Sequence, residues 1–178
     1  MINSQESVDH SKKNDYRTIE QTMEKLSGGT RRLAAQLTTS ASFESLWNVL
    51  TDYDRLNLYI PNLLSSKKIY QKDNNVHLKQ IGAQDFLGMK FSAEVTIDLF
   101  EEKKLGLLKF NLIKGDFRKF EGSWKIQKIK DTSKNSLIYD LTVQGCQWMP
   151  IGMIEKRLKK DLSENLIAVD RQAKSSIN

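Results

Sequence analysis

The sequence predicts an α+β domain in which a curved antiparallel sheet wraps around a long carboxy-terminal helix, with two short helices after the first strand. Three observations carry that prediction. Across residues 65–147 apolar side chains recur at every second position, and turn residues cut the stretch into hairpin lengths. After Pro150 the period lengthens: Ile151, Ile154, Leu158, Leu162, Leu166, Val169 and Ala173 fall along one side of a helix. The composition, 39% hydrophobic and 28% charged over 178 residues, suits one domain that buries a sizeable core without staples.

The elements follow in order. Residues 1–30 are rich in Ser, Asn, Gln and charge and end in Ser27-Gly28-Gly29-Thr30, so they read as a mostly disordered leader. Within it Ile19, Met23 and Leu26 sketch an amphipathic helix too short to stand alone. The domain is expected over residues 31–175. Arg31 to Thr39 has strand length, and the hydroxyls of Ser40 and Ser42 are placed to cap a helix by accepting free first-turn N–H groups. Phe43, Leu46, Trp47 and Leu50 form one apolar stripe of that helix. Tyr53, Leu56 and Ile60 suggest a second short helix, which Pro61 stops.

In the sheet, Phe91, Ala93, Val95, Ile97 and Leu99 share one face and Ser92, Glu94, Thr96 and Asp98 the other, the alternation of a sheet with one wet side. Leu108, Phe110 and Leu112 repeat it, as do Phe120, Gly122, Trp124 and Ile126, and then Leu137, Tyr139, Leu141 and Val143. The terminal helix is the one element long enough to cover this face, at about 37 Å. A helix resting on the rims of a curled sheet leaves a middle that side chains or a ligand must fill.

Several function classes are excluded early. A single cysteine, Cys146, rules out an intrachain disulfide framework and a Cys-rich zinc site, and points to a reducing compartment. The two histidines, His10 in the leader and His77 in a strand, leave little room for a catalytic triad or a metal cluster. No apolar run reaches the ~18 residues of a membrane span, and the amino terminus lacks a secretory pattern. A cytoplasmic protein is expected. The net charge of +6 is spread over basic doublets at 31–32, 67–68, 103–104, 118–119 and 159–160, with acids interleaved. That pattern argues against nucleic acid and leaves an anionic membrane surface as a transient partner.

Three strings sharpen the picture. Residues 41–61 (ASFESLWNVLTDYDRLNLYIP), 115–124 (GDFRKFEGSW) and 150–165 (PIGMIEKRLKKDLSEN) resemble, in this order, segments of the START/SRPBCC helix-grip superfamily. The likeness is to its polyketide cyclase/dehydrase branch, with the coenzyme Q-binding START-domain proteins and cyanobacterial and plastid members, and covers residues 31–174. It implies a helix-grip fold. One fold hosts many activities, so function still has to come from the site.

The inward stripes name the expected wall: Phe91, Val95, Leu108, Phe110, Phe120, Trp124, Tyr139 and Leu141 from the sheet, Leu158, Leu162 and Leu166 from the helix. Gly122 and Ala93 leave either free volume or a bend. Gln80, Tyr139 and Asn165 are the polar handles, since a buried polar group needs a partner that a ligand can supply. Glu155 sits at the edge of the helix stripe. Phe86, Met89, Trp148 and Met153 lie in two unusually apolar connections, which read as a cavity entrance or as the closed end of the core. Arg157, Lys159 and Lys160 follow closely.

The inward stripes hold no Asp or His, so no catalytic residue is assigned. Asp98 and Asp140 are expected to face outward, and Asp116 to form a turn. The reading is a noncatalytic module that binds or transports a lipophilic small molecule: a lipid, isoprenoid, quinone or polyketide-like compound, without cofactor or metal. Two alternatives stay open. A polyketide cyclase or dehydratase would need an inward carboxylate or histidine beside a roomy pocket, and a ribosome, RNA or protein partner module would rest on the basic charge.

Overall fold

The structure, a computed structural model, describes residues 19–86, 89–146 and 151–175, with the backbone alone at 84–86, 89–90 and 151–154. Eight strands form one antiparallel sheet: β1 (Ile19–Lys25), β2 (Arg31–Thr39), β3 (Leu63–Lys72), β4 (Asn75–Phe86), β5 (Met89–Glu102), β6 (Leu107–Gly115), β7 (Lys119–Lys128) and β8 (Asn135–Gln144). Their spatial order is β1-β2-β8-β7-β6-β5-β4-β3, so β1 and β3 are the edges. The helix α1 (Phe43–Thr51) and a 3₁₀ segment (Tyr53–Leu58) follow β2, and α2 (Ile151–Ser175) closes the chain.

Local chemistry sets these bounds. Ser42 caps α1, its side chain accepting from the Ser45 N–H at 3.1 Å. Leu46, Trp47 and Leu50 are buried from the predicted stripe. The second short helix is 3₁₀, and Tyr59 locks the turn after it by donating its hydroxyl to the Val49 carbonyl at 2.6 Å. Bulges interrupt the pairing of β3 with β4 between Leu63 and Ser65 and between Lys68 and Tyr70, and that of β5 with β6 between Thr96 and Ile97. Such insertions raise twist and help curl the sheet.

The leader requires a correction. Ile19–Lys25 is a strand that pairs with β2 from Ile19↔Leu37 to Lys25↔Arg31, so ordered structure starts before Arg31 and the short helix does not form there. A spacing of four, as between Ile19 and Met23, fits both a helix and a period of two. The strand wins because Ile19 and Met23 come to lie opposite Leu37 and Leu33 and pack on the core. Residues 1–18, with His10, lie outside the described residues.

The helix α2 approaches β1, β2, β8 and α1, with Leu162, Leu166, Val169 and Ala173 buried. Its carboxy-terminal half is pinned by a polar clasp. Asp170 is fully buried, receives the Thr39 hydroxyl and pairs with Lys174 at 3.3 Å, while Thr39 in turn accepts the Ala41 N–H at 2.9 Å. Near its other end, Glu155 meets Arg31 on β2 and Lys25 on β1, and Gln21 donates to the Lys159 carbonyl at 2.6 Å. From the edge of the helix stripe Glu155 thus reaches the side chain of Arg31. That guanidinium holds the Glu155 carboxyl below its ordinary range.

Candidate functional site: an apolar cavity with a polar ridge

Where α2 leans on β1, β2 and β8, it leaves space over the strands β4 to β7. That space is a cavity of ≈ 320 Å³, within the size range of small-molecule sites. Its floor is built from cross-strand rows: Leu99 opposite Phe110, Phe110 opposite Gly122, Trp124 opposite Tyr139, and Gly82 opposite Ala93. Trp124 stacks on Tyr139 with ring centres 4.0 Å apart, and Phe110 touches Phe120 at 5.6 Å and Tyr139 at 6.4 Å. Phe117 extends this aromatic belt, 5.4 Å from Phe120.

The structure brings all nine sequence-nominated ligand residues to this wall: Gln80, Phe91, Phe110, Phe120, Trp124, Tyr139, Leu158, Leu162 and Asn165. Leu166 is not on it; the side chain is fully buried in the core beneath. The entrance residues cannot be placed as a set. Trp148 and the side chains of Phe86, Met89 and Met153 lie outside what is described, although Phe86 and Met89 pair in the β4–β5 ladder.

Gly122 has a different role from spare volume. A Cβ there would strike the Asp140 carbonyl and lie 2.8 Å from the Phe110 ring. The ring of Phe110 therefore lies over the glycine, filling the place of the missing side chain. Ala93 does line the cavity, where a larger residue would project into it.

The main residue missed by sequence is Asp161. It lines the cavity on α2, 3.2 Å from Arg157 and within reach of Asn62, whose Nδ2 donates to Oδ1 at 3.2 Å. The Arg157 Nε approach is electrostatic, since its N–H is not aligned for a hydrogen bond. This overturns the expectation that no carboxylate faces inward. Arg157, Asp161 and Asn165 recur at i, i+4 and i+8, one position before Leu158, Leu162 and Leu166, so they form a polar ridge beside the apolar stripe. A helix bordering a cavity shows a wider arc than one packed on a flat core. The four-residue spacing of polar side chains was the available signal.

Other polar groups differ in how they are satisfied. Tyr53 lines the wall but gives its hydroxyl to Glu101 at 2.6 Å, and Gln80 donates through Nε2 to Ser66 at 3.1 Å. Tyr139 is only 8% exposed, and among the described residues its hydroxyl makes no hydrogen bond. Burial, and then the charge of Asp161, pushes its pKa well above the ordinary tyrosine value, so it remains a neutral donor. The Asn165 Oδ1 is buried without a partner.

Outside the cavity, His77 faces outward beside Asp98 at 3.5 Å, and Asp140 pairs with Arg32 at 2.8 Å. Asp116 accepts the Glu94 N–H at 2.7 Å, as a turn residue does. Among the described residues no three His, Cys, Asp or Glu side chains gather as a metal site, and no helix is long and apolar enough to cross a membrane. Four of the five basic doublets contain a residue paired with an acid: Arg31 and Arg32, Lys103, Lys119 and Lys160.

Comparison with known proteins places this architecture. A family model described as polyketide cyclase / dehydrase and lipid transport matches residues 39–170. No curated protein matches the chain by sequence. Among solved structures, a STAR-related lipid transfer protein from Xanthomonas axonopodis superposes with a TM-score of 0.74 at 12% identity, covering 88% of this chain and 93% of that one. The Zhui aromatase/cyclase of a Streptomyces species gives 0.70 at 13% identity, covering 84% and 96%. Human StAR-related lipid transfer protein 5 gives 0.71 at 7% identity, covering 90% and 84%. At these identities the likeness is one of fold.

Proposed function

The chain belongs to the polyketide cyclase / dehydrase and lipid transport family, and on that premise we propose that it binds and carries a lipophilic small molecule between the sheet and α2. The observation that carries the reading is the ≈ 320 Å³ cavity walled by Phe, Leu, Val, Ile and Trp side chains. Close-packed interiors do not leave such space without use. Candidate cargoes are lipids, isoprenoids, quinones of the coenzyme Q type and polyketide-like rings. The residues that would hold the cargo are Gln80, Phe91, Phe110, Phe120, Trp124, Tyr139, Leu158, Leu162 and Asn165. A cytoplasmic carrier would load and unload by brief contact with an anionic bilayer, the apolar connections around Phe86, Met89, Trp148 and Met153 meeting the membrane and Lys159 and Lys160 its charge.

The test is organic extraction of the protein purified from its native cells, followed by mass spectrometry, alongside binding of the neutral dye Nile red. Ala93→Phe fills the cavity. It should abolish dye fluorescence and copurifying lipid while the fold survives; a chain that brings no lipid and binds no dye has no carrier function.

Asp161 favours one further reading, a cyclase or dehydratase, because that chemistry needs a carboxylate inside the cavity. Its pairing with Arg157 and Asn62 makes it a positioned ion. Turnover of a poly-β-ketone thioester that stops in Asp161→Asn would replace the carrier reading with the enzymatic one.

A further inference from the structure

The cavity's polar ridge also bears on the charge of the cargo. Arg157 and Asp161 already neutralise one another, and Asn62 donates to the same carboxylate oxygen that faces Arg157. An anionic head group placed here would face Asp161 and have to displace it from Arg157; a cationic one would face Arg157 in the same way. Each would lose its hydration for a site whose charges are already matched. In and beside that charge-matched pair stand groups with hydrogen-bonding capacity to spare, the buried Arg157 Nε–H among them. The Tyr139 hydroxyl, on a side chain nine-tenths buried in the cavity wall, makes no hydrogen bond among the described residues. The Asn165 Oδ1 is buried and unpartnered, and Gln80 uses its Nε2 on Ser66. Unmet polar groups in an apolar wall cost stability until something satisfies them.

We infer that the cavity selects an electrically neutral, ring-bearing lipophile that carries a hydroxyl or carbonyl oxygen, and rejects carboxylates and phosphates of the same size. This rests on the carrier reading and adds to it. The aromatic belt of Phe110, Phe117, Phe120, Trp124 and Tyr139 supplies faces for a flat ring, and the ridge on α2 reads the oxygen at its end. The zero net charge of the Arg157–Asp161 pair sets the rejection, and Tyr139 and Asn165 set the preference for oxygen.

Four ligands that share one ring system separate these effects: naphthalene, 2-naphthol, 2-acetylnaphthalene and 2-naphthoate, each competed against Nile red at pH 7. The hydroxyl and carbonyl compounds should bind roughly three- to tenfold tighter than naphthalene, the worth of one net hydrogen bond. The naphthoate should bind more weakly than any of them. Tyr139→Phe together with Asn165→Leu should remove the oxygen preference, so that within this variant 2-naphthol and 2-acetylnaphthalene bind no tighter than naphthalene. Asp161→Asn keeps the shape but leaves Arg157 with an uncompensated charge, so naphthoate should gain about tenfold. Arg157→Met provides the opposite sign: naphthoate should not gain. Wild-type protein that takes naphthoate as well as naphthol overturns the inference while carrier function stands. Absence of Nile red binding and of any ligand-induced change in Trp124 fluorescence overturns both.

Discussion

Asp170 and Gly122 show how much a single position can fix. Removing the Asp170 carboxylate leaves the Thr39 hydroxyl without its acceptor in the core and Lys174 without its partner. Asp170→Ala should therefore cost roughly 1–3 kcal/mol in urea unfolding, and Asp170→Asn, which keeps an acceptor, clearly less. Equal stability of the alanine variant and the wild type would show that the clasp carries no weight. Gly122→Ala should cost about 1–3 kcal/mol through overpacking against Phe110 and the β8 backbone, read as a fall in melting temperature. Sequence alone marked Gly122 as unusual but not why. The reason lies in the pairing Phe110↔Gly122, and register across strands is not written in either strand. Asp161 was hidden for a similar cause, since beside an apolar stripe only the neighbouring space tells a solvated charge from one lining a cavity.

The two ends of α2 are held by different means. Glu155 joins the helix to Arg31 and Lys25, across both β2 and β1. Its folded-state pKa is depressed, so its stabilisation is present above the ordinary carboxylate value near ~4.3 and is lost as pH falls through the lower folded value. Amide exchange over residues 155–165 should be faster in Glu155→Gln than in wild type at pH 7, and the gap should narrow as acid protonates the Glu155 carboxylate. Indistinguishable protection at neutral pH would show that Glu155 does not hold this end of α2. Strongly periodic elements such as β5, β8 and α2 were legible because their burial is one-sided over many residues. The strand β1 was not, since its alternation Ile19, Gln21, Met23 includes a glutamine whose reason is the Lys159 carbonyl on the distant helix.

For the molecule as a whole, the order of strands, short helices and terminal helix could be read from the chain, but Leu166 was expected on the cavity wall and lies behind it, while Asp161 and the side formed by Leu50, Leu56 and Ile60 were not foreseen. The cavity's volume could not be read, because whether facing side chains meet or stand apart depends on how far the sheet curls. The tyrosines report on that interior. Tyr53, Tyr59 and Tyr139 all have pKa values raised chiefly by burial. Their contribution is full below the unfolded tyrosine value and is lost progressively as pH rises from there towards the higher folded values, so stability should fall steeply above pH ~10. Replacing Tyr53 with Phe should soften that fall in a pH-dependent denaturation series. An alkaline limb unaffected by the substitution would assign the loss elsewhere.

The outer edge of β3, where the 3₁₀ segment packs and Asp54 accepts the Lys68 N–H at 2.7 Å, has a consequence for handling the protein. Its two interruptions and the run Lys67, Lys68 and Lys72 break the ladder that another chain would need for docking side by side, even though Ile69 and Tyr70 stand exposed. Deleting Ile69, the extra residue at the second interruption, would straighten this border into a sticky template, and concentrated solutions should then turn turbid on storage where the parent stays clear.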